Sequence, residues 1–159
     1  MADNGSAGPV ALVKSALVAA GVGDTVRSFP AGVPTAIAAA EALGCDVAAI
    51  TNSLVFDLNG EPLLILASGA ARVDTTLVAG HLGEGRIRRA SPDFVLKHTG
   101  QAVGGVSPVG HPRKIRTLLD ESLRGQELLW AGAGDHTTMF SITYGQLREI
   151  TGARELRVR

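Results

Sequence analysis

Two apolar segments joined by a tight turn limit the folds open to this chain more than any other feature. Residues 47–56 (VAAITNSLVF) alternate between two faces as a strand does, and residues 63–67 (LLILA) form a second apolar run. Asn59-Gly60 lies between them, and such a dipeptide is the strongest short signal for a hairpin turn. We therefore expect an antiparallel hairpin as part of the core sheet.

Helical segments accompany this hairpin, each with recognisable start and stop residues. Residues 35–43 (TAIAAAEAL) are rich in alanine, begin with Thr35 as a predicted N-cap and are followed by Gly44 as a predicted helix stop. Similar signals predict helices over residues 10–20, 74–82, 91–99 and 144–150, and strands over residues 86–90, 115–119, 128–131, 139–142 and 155–158.

The order of these elements predicts the fold class. Hairpins and helices are mixed without the strict alternation of strand and helix that builds a parallel sheet, so we expect a mixed α/β fold with helices around a mixed or antiparallel sheet. The length of 159 residues suits one domain, which we place at residues 10–159. Residues 1–9 (MADNGSAGP) lack the basic start of a signal peptide, and we expect a disordered lead-in there.

Composition excludes several functional classes. Lysine plus arginine number 15 and aspartate plus glutamate number 15, so the formal net charge is zero. This balance excludes histone-like binding of nucleic acid through bulk charge but leaves a local basic patch open. Cys45 is the one cysteine, so no internal disulfide forms and a reducing cytoplasm is the expected location. The sequence contains no uninterrupted run of about 18 apolar residues, so we predict no membrane span.

Common site motifs are absent or incomplete. There is no GxxxxGK[ST] phosphate loop, and the four histidines form neither HxH nor HExxH, so we expect no metal and no cofactor. Gly132 and Gly134 begin a GxGxxG pattern, but its third glycine is missing and a strand is predicted to follow. Ser107 nearly matches a GxSxG nucleophile elbow, but Pro108 follows it and has no N–H for an oxyanion.

A glycine-rich loop is the feature that remains. Residues 100–110 (GQAVGGVSPVG) contain four glycines and one proline. Glycine allows a backbone to approach a ligand closely, and proline fixes the path of the chain. The backbone N–H groups of Gly104, Gly105 and Val106 can then point at a carbonyl or phosphate oxygen. An ordinary tight turn is the alternative, and composition alone does not separate the two.

The order of segments ITNSLVF, LLILASG, GGVSPVG and GAGDHT resembles the YbaK/ProX-like aminoacyl-tRNA deacylases, which also occur as the editing domain inserted in bacterial prolyl-tRNA synthetases. The resemblance covers about residues 30–155 and includes the GxxxP pattern of that family, from Gly104 to Pro108. It implies an α/β fold with a mixed, barrel-like sheet. It also implies hydrolysis of the ester between a wrong amino acid and the terminal adenosine of tRNA, without a metal. In that family the ribose hydroxyl of the tRNA helps to position water, and the GxxxP backbone shapes the pocket.

One residue departs from the family pattern. The best-known members carry a lysine in a segment like I-x-K-[ST]-L, and Asn52 stands at that place here. Losing one donor at an oxyanion site costs about 2.7–4 kcal/mol of transition-state stabilisation. The chain is then either a trans-acting editing enzyme with an altered substrate or mechanism, or a non-catalytic binding module for aminoacyl-tRNA ends or aminoacyl-adenosine-like ligands. Asn52 can also be a polar strand residue satisfied by a neighbour.

These considerations define the expected site. The predicted catalytic residues are Asn52, Gly104, Gly105, Val106 and Pro108. The predicted substrate-binding residues are Ser53, Ser68, Gly69, Thr99, Gly100, Ser107, Gly134, Asp135 and His136. A basic rim for the tRNA acceptor end is predicted from Lys97, His111, Arg113 and Lys114, with a solvated surface as the alternative, and a second basic cluster contains Arg86, Arg88 and Arg89. The expected partners are the aminoacyl-tRNA acceptor end and, optionally, an aminoacyl-tRNA synthetase, with neither membrane nor DNA.

Overall fold

The structure is a computed structural model that describes residues 8–83 and 85–159. Within these residues the helices are α1 (Pro9–Ala19), α2 (Ala36–Leu43), α3 (Thr75–Leu82), α4 (Pro92–Thr99) and α5 (Tyr144–Thr151). The strands are β1 (Val26–Ser28), β2 (Ile50–Leu58), β3 (Glu61–Ser68), β4 (Ile87–Arg89), β5 (Arg116–Asp120), β6 (Leu129–Gly132), β7 (Thr138–Ile142) and β8 (Arg154–Leu156). Two short 3-10 turns cover Val47–Ala49 and Glu121–Gly125.

All of these strands belong to one mixed sheet. Its order is β1-β7-β6-β2-β3-β5-β8, and β4 pairs with β2 beside this path. The pairs β1–β7, β6–β7, β2–β3 and β2–β4 are antiparallel, whereas β2–β6, β3–β5 and β5–β8 are parallel. The predicted mixed α/β fold, with helices around a mixed sheet, is confirmed.

The central hairpin forms as its sequence predicts. β2 and β3 pair from Thr51 opposite Ser68 to Leu58 opposite Glu61. Asn59 and Gly60 have φ angles of 54° and 90°, which is the left-handed conformation that a two-residue hairpin turn of this kind requires. The chain reverses there within two residues, and the register of the two longest strands follows from it.

Local capping also matches the sequence signals. The Thr35 hydroxyl accepts a hydrogen bond from the Ala38 N–H at 3.0 Å, and Gly44 closes α2 with a φ of 68°. Residues 47–49 were predicted as strand, and this prediction is wrong. The Asp46 carboxylate accepts the Ala48 N–H at 2.8 Å and caps a 3-10 turn, so β2 begins only at Ile50.

Both faces of β3 are buried. On β3, Leu64 and Leu66 point into one apolar cluster with α1 and α5, whereas Leu63, Ile65 and Ala67 point into a second cluster with α3. Burial on both faces explains why this strand is a continuous apolar run rather than an alternating one. A third, smaller cluster packs α2 over the start of β2.

One edge of β2 is only partly covered. β6 pairs with this edge at Ile50 and Thr51, and β4 pairs with it from Phe56 to Leu58. Residues 52–55 therefore face none of the described strands on that side, although β3 covers their other edge. This interruption opens the sheet between β6 and β4.

The beginning of the chain is described only in part. Of the predicted lead-in, residues 1–7 lie outside the described residues, and Pro9 is already the first residue of α1. In the described part of the chain, none of the helices has the length and hydropathy needed to cross a bilayer.

Candidate active site

A cavity of about 450 Å³ lies at the open edge of β2. Residues 50–56 of β2 form its floor, and residues 33–36 with Ala39 of α2 cover one side. The glycine-rich loop contributes Val103, Gly104 and Val106. The loop between β6 and β7 contributes Asp135, so segments that are distant in the sequence meet at one place.

Asn52 and the glycine-rich loop share this cavity. Both Asn52 and Gly104 line it, although 51 positions separate them in the sequence. Asn52 is half-buried, and among the described residues its side-chain amide makes no hydrogen bond. The amide is therefore available to a ligand, unlike a strand residue that a neighbour satisfies. Gly104 has a φ of 98° with no atom within 4 Å of a Cβ position, which leaves its backbone open to close approach.

A buried glutamine holds the glycine-rich loop in shape. The Gln101 side chain is 1% exposed, accepts the Ser107 N–H at 2.6 Å and donates to the Val109 carbonyl at 3.1 Å. The Thr99 hydroxyl in turn accepts the Gln101 N–H at 3.0 Å. Gln101 was not predicted as a site residue, because a single glutamine in a loop gives no periodic or spacing signal.

Two glycines join this loop to the loop between β6 and β7. A Cβ on Gly105 would collide with the backbone of Asp135, and the Gly105 carbonyl accepts the Gly134 N–H at 3.0 Å. A Cβ on Gly134 would lie 2.9 Å from the carbonyl carbon of Pro9 at the start of α1. These contacts fix the two loops against each other and against α1.

Asp135 presents an ionised carboxylate to the cavity. Its Oδ1 accepts the Thr137 N–H at 2.8 Å, the Thr137 hydroxyl at 2.8 Å and the Thr138 hydroxyl at 3.0 Å. Burial alone raises the pKa of this carboxyl, but the hydrogen bonds from Thr137 and Thr138 hold the pKa of Asp135 below its usual value. All three bonds end on Oδ1, and among the described residues Oδ2 accepts no hydrogen bond, so Oδ2 is available to a cationic group.

Two hydroxyls in the β2 floor lack partners. The Thr51 and Ser53 side-chain oxygens are buried, and among the described residues neither makes a hydrogen bond. Ser53 belongs to the predicted substrate-binding residues and lines the cavity, as does Thr51, which was not predicted. No three histidine, cysteine or carboxylate side chains in the described ranges converge into a possible metal site.

Several predicted site residues do not line the cavity. Ser107 is fully buried, and the Ser68 hydroxyl donates to the Ala48 carbonyl at 2.9 Å. A Cβ on Gly69 would lie 2.7 Å from the Val47 carbonyl oxygen, so this glycine lets the chain segments pack closely. The predicted site residues that do not line the cavity are Ser68, Gly69, Thr99, Gly100, Gly105, Ser107, Pro108, Gly134 and His136.

The predicted basic rim does not meet the cavity either. His111 turns inward, where its Nε2 donates to the Ser107 carbonyl at 2.7 Å and burial lowers the pKa of the imidazole. Lys97, Arg113 and Lys114 are exposed but do not line the cavity. Among the described residues, the basic residue that lines the cavity is Arg89. It belongs to the second basic cluster noted in the sequence, to which no role in the site was assigned.

Comparison with known proteins identifies the family. Residues 30–150 match the sequence model of the aminoacyl-tRNA editing domain. The uncharacterized protein YwhH of Bacillus subtilis is 31% identical over 127 residues, which cover 79% of this chain and 80% of YwhH. The proline–tRNA ligase of Limosilactobacillus fermentum is 33% identical over 116 residues, or 70% of this chain. The match spans only 20% of that ligase.

Solved structures agree with the sequence matches. A protein proposed as a trans-editing enzyme for prolyl-tRNA synthetase superposes with a TM-score of 0.89 at 37% identity, covering 95% of this chain and 96% of the other. The hypothetical protein APE2540 superposes with a TM-score of 0.85 at 26% identity, covering 92% and 98%. The family predicted from the GxxxP loop and its neighbouring segments is confirmed. The chain belongs to the aminoacyl-tRNA editing domain family.

Proposed function

We propose that this chain is a trans-acting aminoacyl-tRNA deacylase of the cytoplasm, which hydrolyses the ester between a small mischarged amino acid and the terminal ribose of tRNA. The observation that carries the proposal is that Asn52 and two residues of the glycine-rich loop, Gly104 and Val106, line one cavity. Membership of the editing-domain family supports it, as does similarity over nearly the whole chain to a protein proposed as a trans-editing enzyme.

The proposed reaction uses backbone donors. Water attacks the ester carbonyl carbon, the carbonyl oxygen becomes an oxyanion, and the bond to the ribose oxygen then breaks as that oxygen takes a proton. The N–H groups of Gly104 and Val106, with the Asn52 amide as a further donor, stabilise the oxyanion. As the family resemblance implies, the neighbouring ribose hydroxyl positions the water. The products are a free amino acid and an uncharged tRNA.

The proposed binding of the aminoacyl group follows from charge and size. The free Oδ2 of Asp135 pairs with the ammonium group of the amino acid, because the carboxyl stays ionised at neutral pH. Val33, Ala39 and Val95 provide apolar surface for a small side chain. One methylene changes such discrimination by about 1–3 kcal/mol, so selection by size is expected to be incomplete.

A second candidate function rests on Asn52 itself. An asparagine lacks the positive charge of the lysine that the family carries at this place, and the chain would then bind charged tRNA ends without hydrolysing them. The two functions differ in what a restored lysine does. A deacylase adapted to Asn52 is active before the exchange, whereas a binding module gains its activity only through Asn52→Lys.

A deacylation time course tests the proposal. Alanyl-, seryl-, cysteinyl- and prolyl-tRNA(Pro), with alanyl and seryl esters of other tRNAs, are incubated with the wild type, Asn52→Lys and Asn52→Asp. Asn52→Asp keeps the size of the side chain but removes its donor. Turnover by the wild type that falls about a hundredfold or more in Asn52→Asp supports the enzyme. Absent turnover in the wild type, with retained binding of charged tRNA, supports the binding module.

A further inference from the structure

The cavity contains two charged side chains of opposite sign. In the described part of the chain, Asp135 and Arg89 are the members of its lining that carry full charges. Asp135 belongs to the loop after β6, and Arg89 belongs to β4. Both residues line the cavity, which lies beside the stretch of β2 that pairs with neither β6 nor β4 on this side.

The uncovered stretch of β2 is long enough for an elongated ligand. β6 leaves β2 at Thr51, and β4 joins it at Phe56, directly opposite Arg89. Five steps along a strand, at about 3.3 Å each, give an opening of about 16 Å. The floor between them, residues 52–55, includes the Asn52 amide. A ligand in this cavity has Gly104 and both charged residues around it, because all three line the cavity.

The positive charge of the Arg89 side chain has no acidic partner among the described residues. Arg89 is exposed, and its guanidinium makes neither an ion pair nor a hydrogen bond with another described residue. Its neighbour Arg88 differs, because it stands opposite Asp57 in the register of β2 and β4 and does not line the cavity. The two arginines thus lie on the same strand and carry the same charge, but only Arg89 lines the cavity.

We propose that Arg89 binds a phosphodiester of the terminal nucleotides of the tRNA acceptor end, while the ammonium group of the same substrate lies at Asp135. This inference rests on the proposed function and adds the orientation of the substrate. An aminoacylated RNA end carries an ammonium group at one extremity and backbone phosphates beyond the ribose, which matches a cavity lined by one acidic and one basic side chain. The planar guanidinium forms two parallel hydrogen bonds with a phosphate.

Two substrates separate this role from a general effect on the site. Arg89→Ala, Arg89→Lys and Arg88→Ala are compared with the wild type on charged tRNA and on an aminoacyl-adenosine that lacks phosphate. We expect Arg89→Ala to lower kcat/KM about tenfold or more on charged tRNA and to leave kcat/KM on the nucleoside ester unchanged. Arg89→Lys is expected to recover part of the activity on charged tRNA. An equal loss on both substrates, or an equal loss in Arg88→Ala, overturns the proposal.

Binding measured against salt concentration gives a readout that does not need hydrolysis. Affinity for an uncharged acceptor-stem minihelix is measured at several salt concentrations. Removing one contact to a single-stranded phosphate is expected to reduce the slope of log affinity against log salt by about 0.7 in Arg89→Ala, with no change in Arg88→Ala. An unchanged slope in Arg89→Ala overturns the phosphate contact. A wild type that binds with this slope but never hydrolyses charged tRNA overturns the proposed deacylase and leaves the Arg89 contact standing.

Discussion

Gly105 lies directly against the backbone of Asp135, so closely that any side chain at position 105 would collide with it. The Gly105 carbonyl also accepts the Gly134 N–H at 3.0 Å. This contact joins the glycine-rich loop to the loop between β6 and β7. It therefore sets the position of the Gly104 backbone relative to the Asp135 carboxylate across the cavity.

Gly105→Ala is expected to destabilise the protein and impair the site. Its Cβ has no space beside Asp135, and overpacking of this kind costs about 1–3 kcal/mol of unfolding free energy. Gly145→Ala is the matched control, since Gly145 lies in α5 with no atom within 4 Å of a Cβ position. Urea unfolding of both variants measures the difference. Equal stability of the two variants would contradict the tight contact at Gly105.

Gln101→Met is expected to loosen the glycine-rich loop. The change keeps the length of the side chain but leaves the Ser107 N–H and the Val109 carbonyl without partners, each at a cost of about 1–3 kcal/mol. Gln146→Met removes an exposed capping glutamine and is expected to cost less than about 1 kcal/mol. Denaturant unfolding compares the two. A loss of stability in Gln101→Met no greater than in the control would show that Gln101 does not hold the glycine-rich loop in shape.

Asp135→Asn is expected to weaken binding of substrates that carry a free amine. The asparagine oxygen still accepts the hydrogen bonds from Thr137 and Thr138, but the negative charge is lost. We expect KM for charged tRNA to rise about tenfold, as for a lost charged hydrogen bond. An N-acetylated aminoacyl-tRNA, which has no ammonium group, provides the control. The ammonium contact is disproved if the variant loses as much on the acetylated substrate.

Glu155 is expected to make the free energy of unfolding depend on pH in the acid range. Its Oε1 accepts the Tyr144 hydroxyl and the Arg124 guanidinium, both at 2.6 Å, and these bonds lower the pKa of Glu155 to about 2. A carboxyl with a depressed folded pKa stabilises the fold above its ordinary pKa of 4.5, and this stabilisation is lost as pH falls through about 2.

Thermal unfolding of the wild type and Glu155→Gln at several pH values tests this. The wild type is expected to have the higher Tm at pH 7, and the two curves are expected to converge as the pH approaches 2. A difference in Tm that stays constant over this range would show that Glu155 acts without its charge.

The parts of the fold that follow from local sequence were predictable. Asn59-Gly60 determines the central hairpin within two residues, and Thr35 caps α2 through a contact three residues away. β1 was not predictable, because a strand of three residues forms only through pairing with β7, where Val26 meets Phe140. Its stability depends on a partner that lies far along the chain.

The residues of the candidate site were also predictable only in part. Asn52 and the Gly104 loop were found from motif and resemblance, and the cavity contains both. Arg89 and Gln101 could not be assigned in advance. The first faces the cavity only because β4 joins the edge of β2, and the second acts through buried bonds across its own loop. Lys97, Arg113 and Lys114 do not line the cavity, since sequence proximity to the loop does not give a position on its open side, and their contact with the tRNA acceptor end stays a prediction.

The most direct test of the central claim is the initial rate at which amino acid is released from mischarged tRNA by the wild type, Gly104→Ala and Gly23→Ala. Gly104 and Gly23 have φ angles of 98° and 94°, and neither has an atom within 4 Å of a Cβ position, so alanine strains both equally. Only Gly104 lines the cavity. Turnover is expected from the wild type and from Gly23→Ala, with a loss of about a hundredfold or more in Gly104→Ala, because strain at this position moves the backbone donors away from the oxyanion. Equal rates in all three proteins would contradict a catalytic role for the glycine-rich loop.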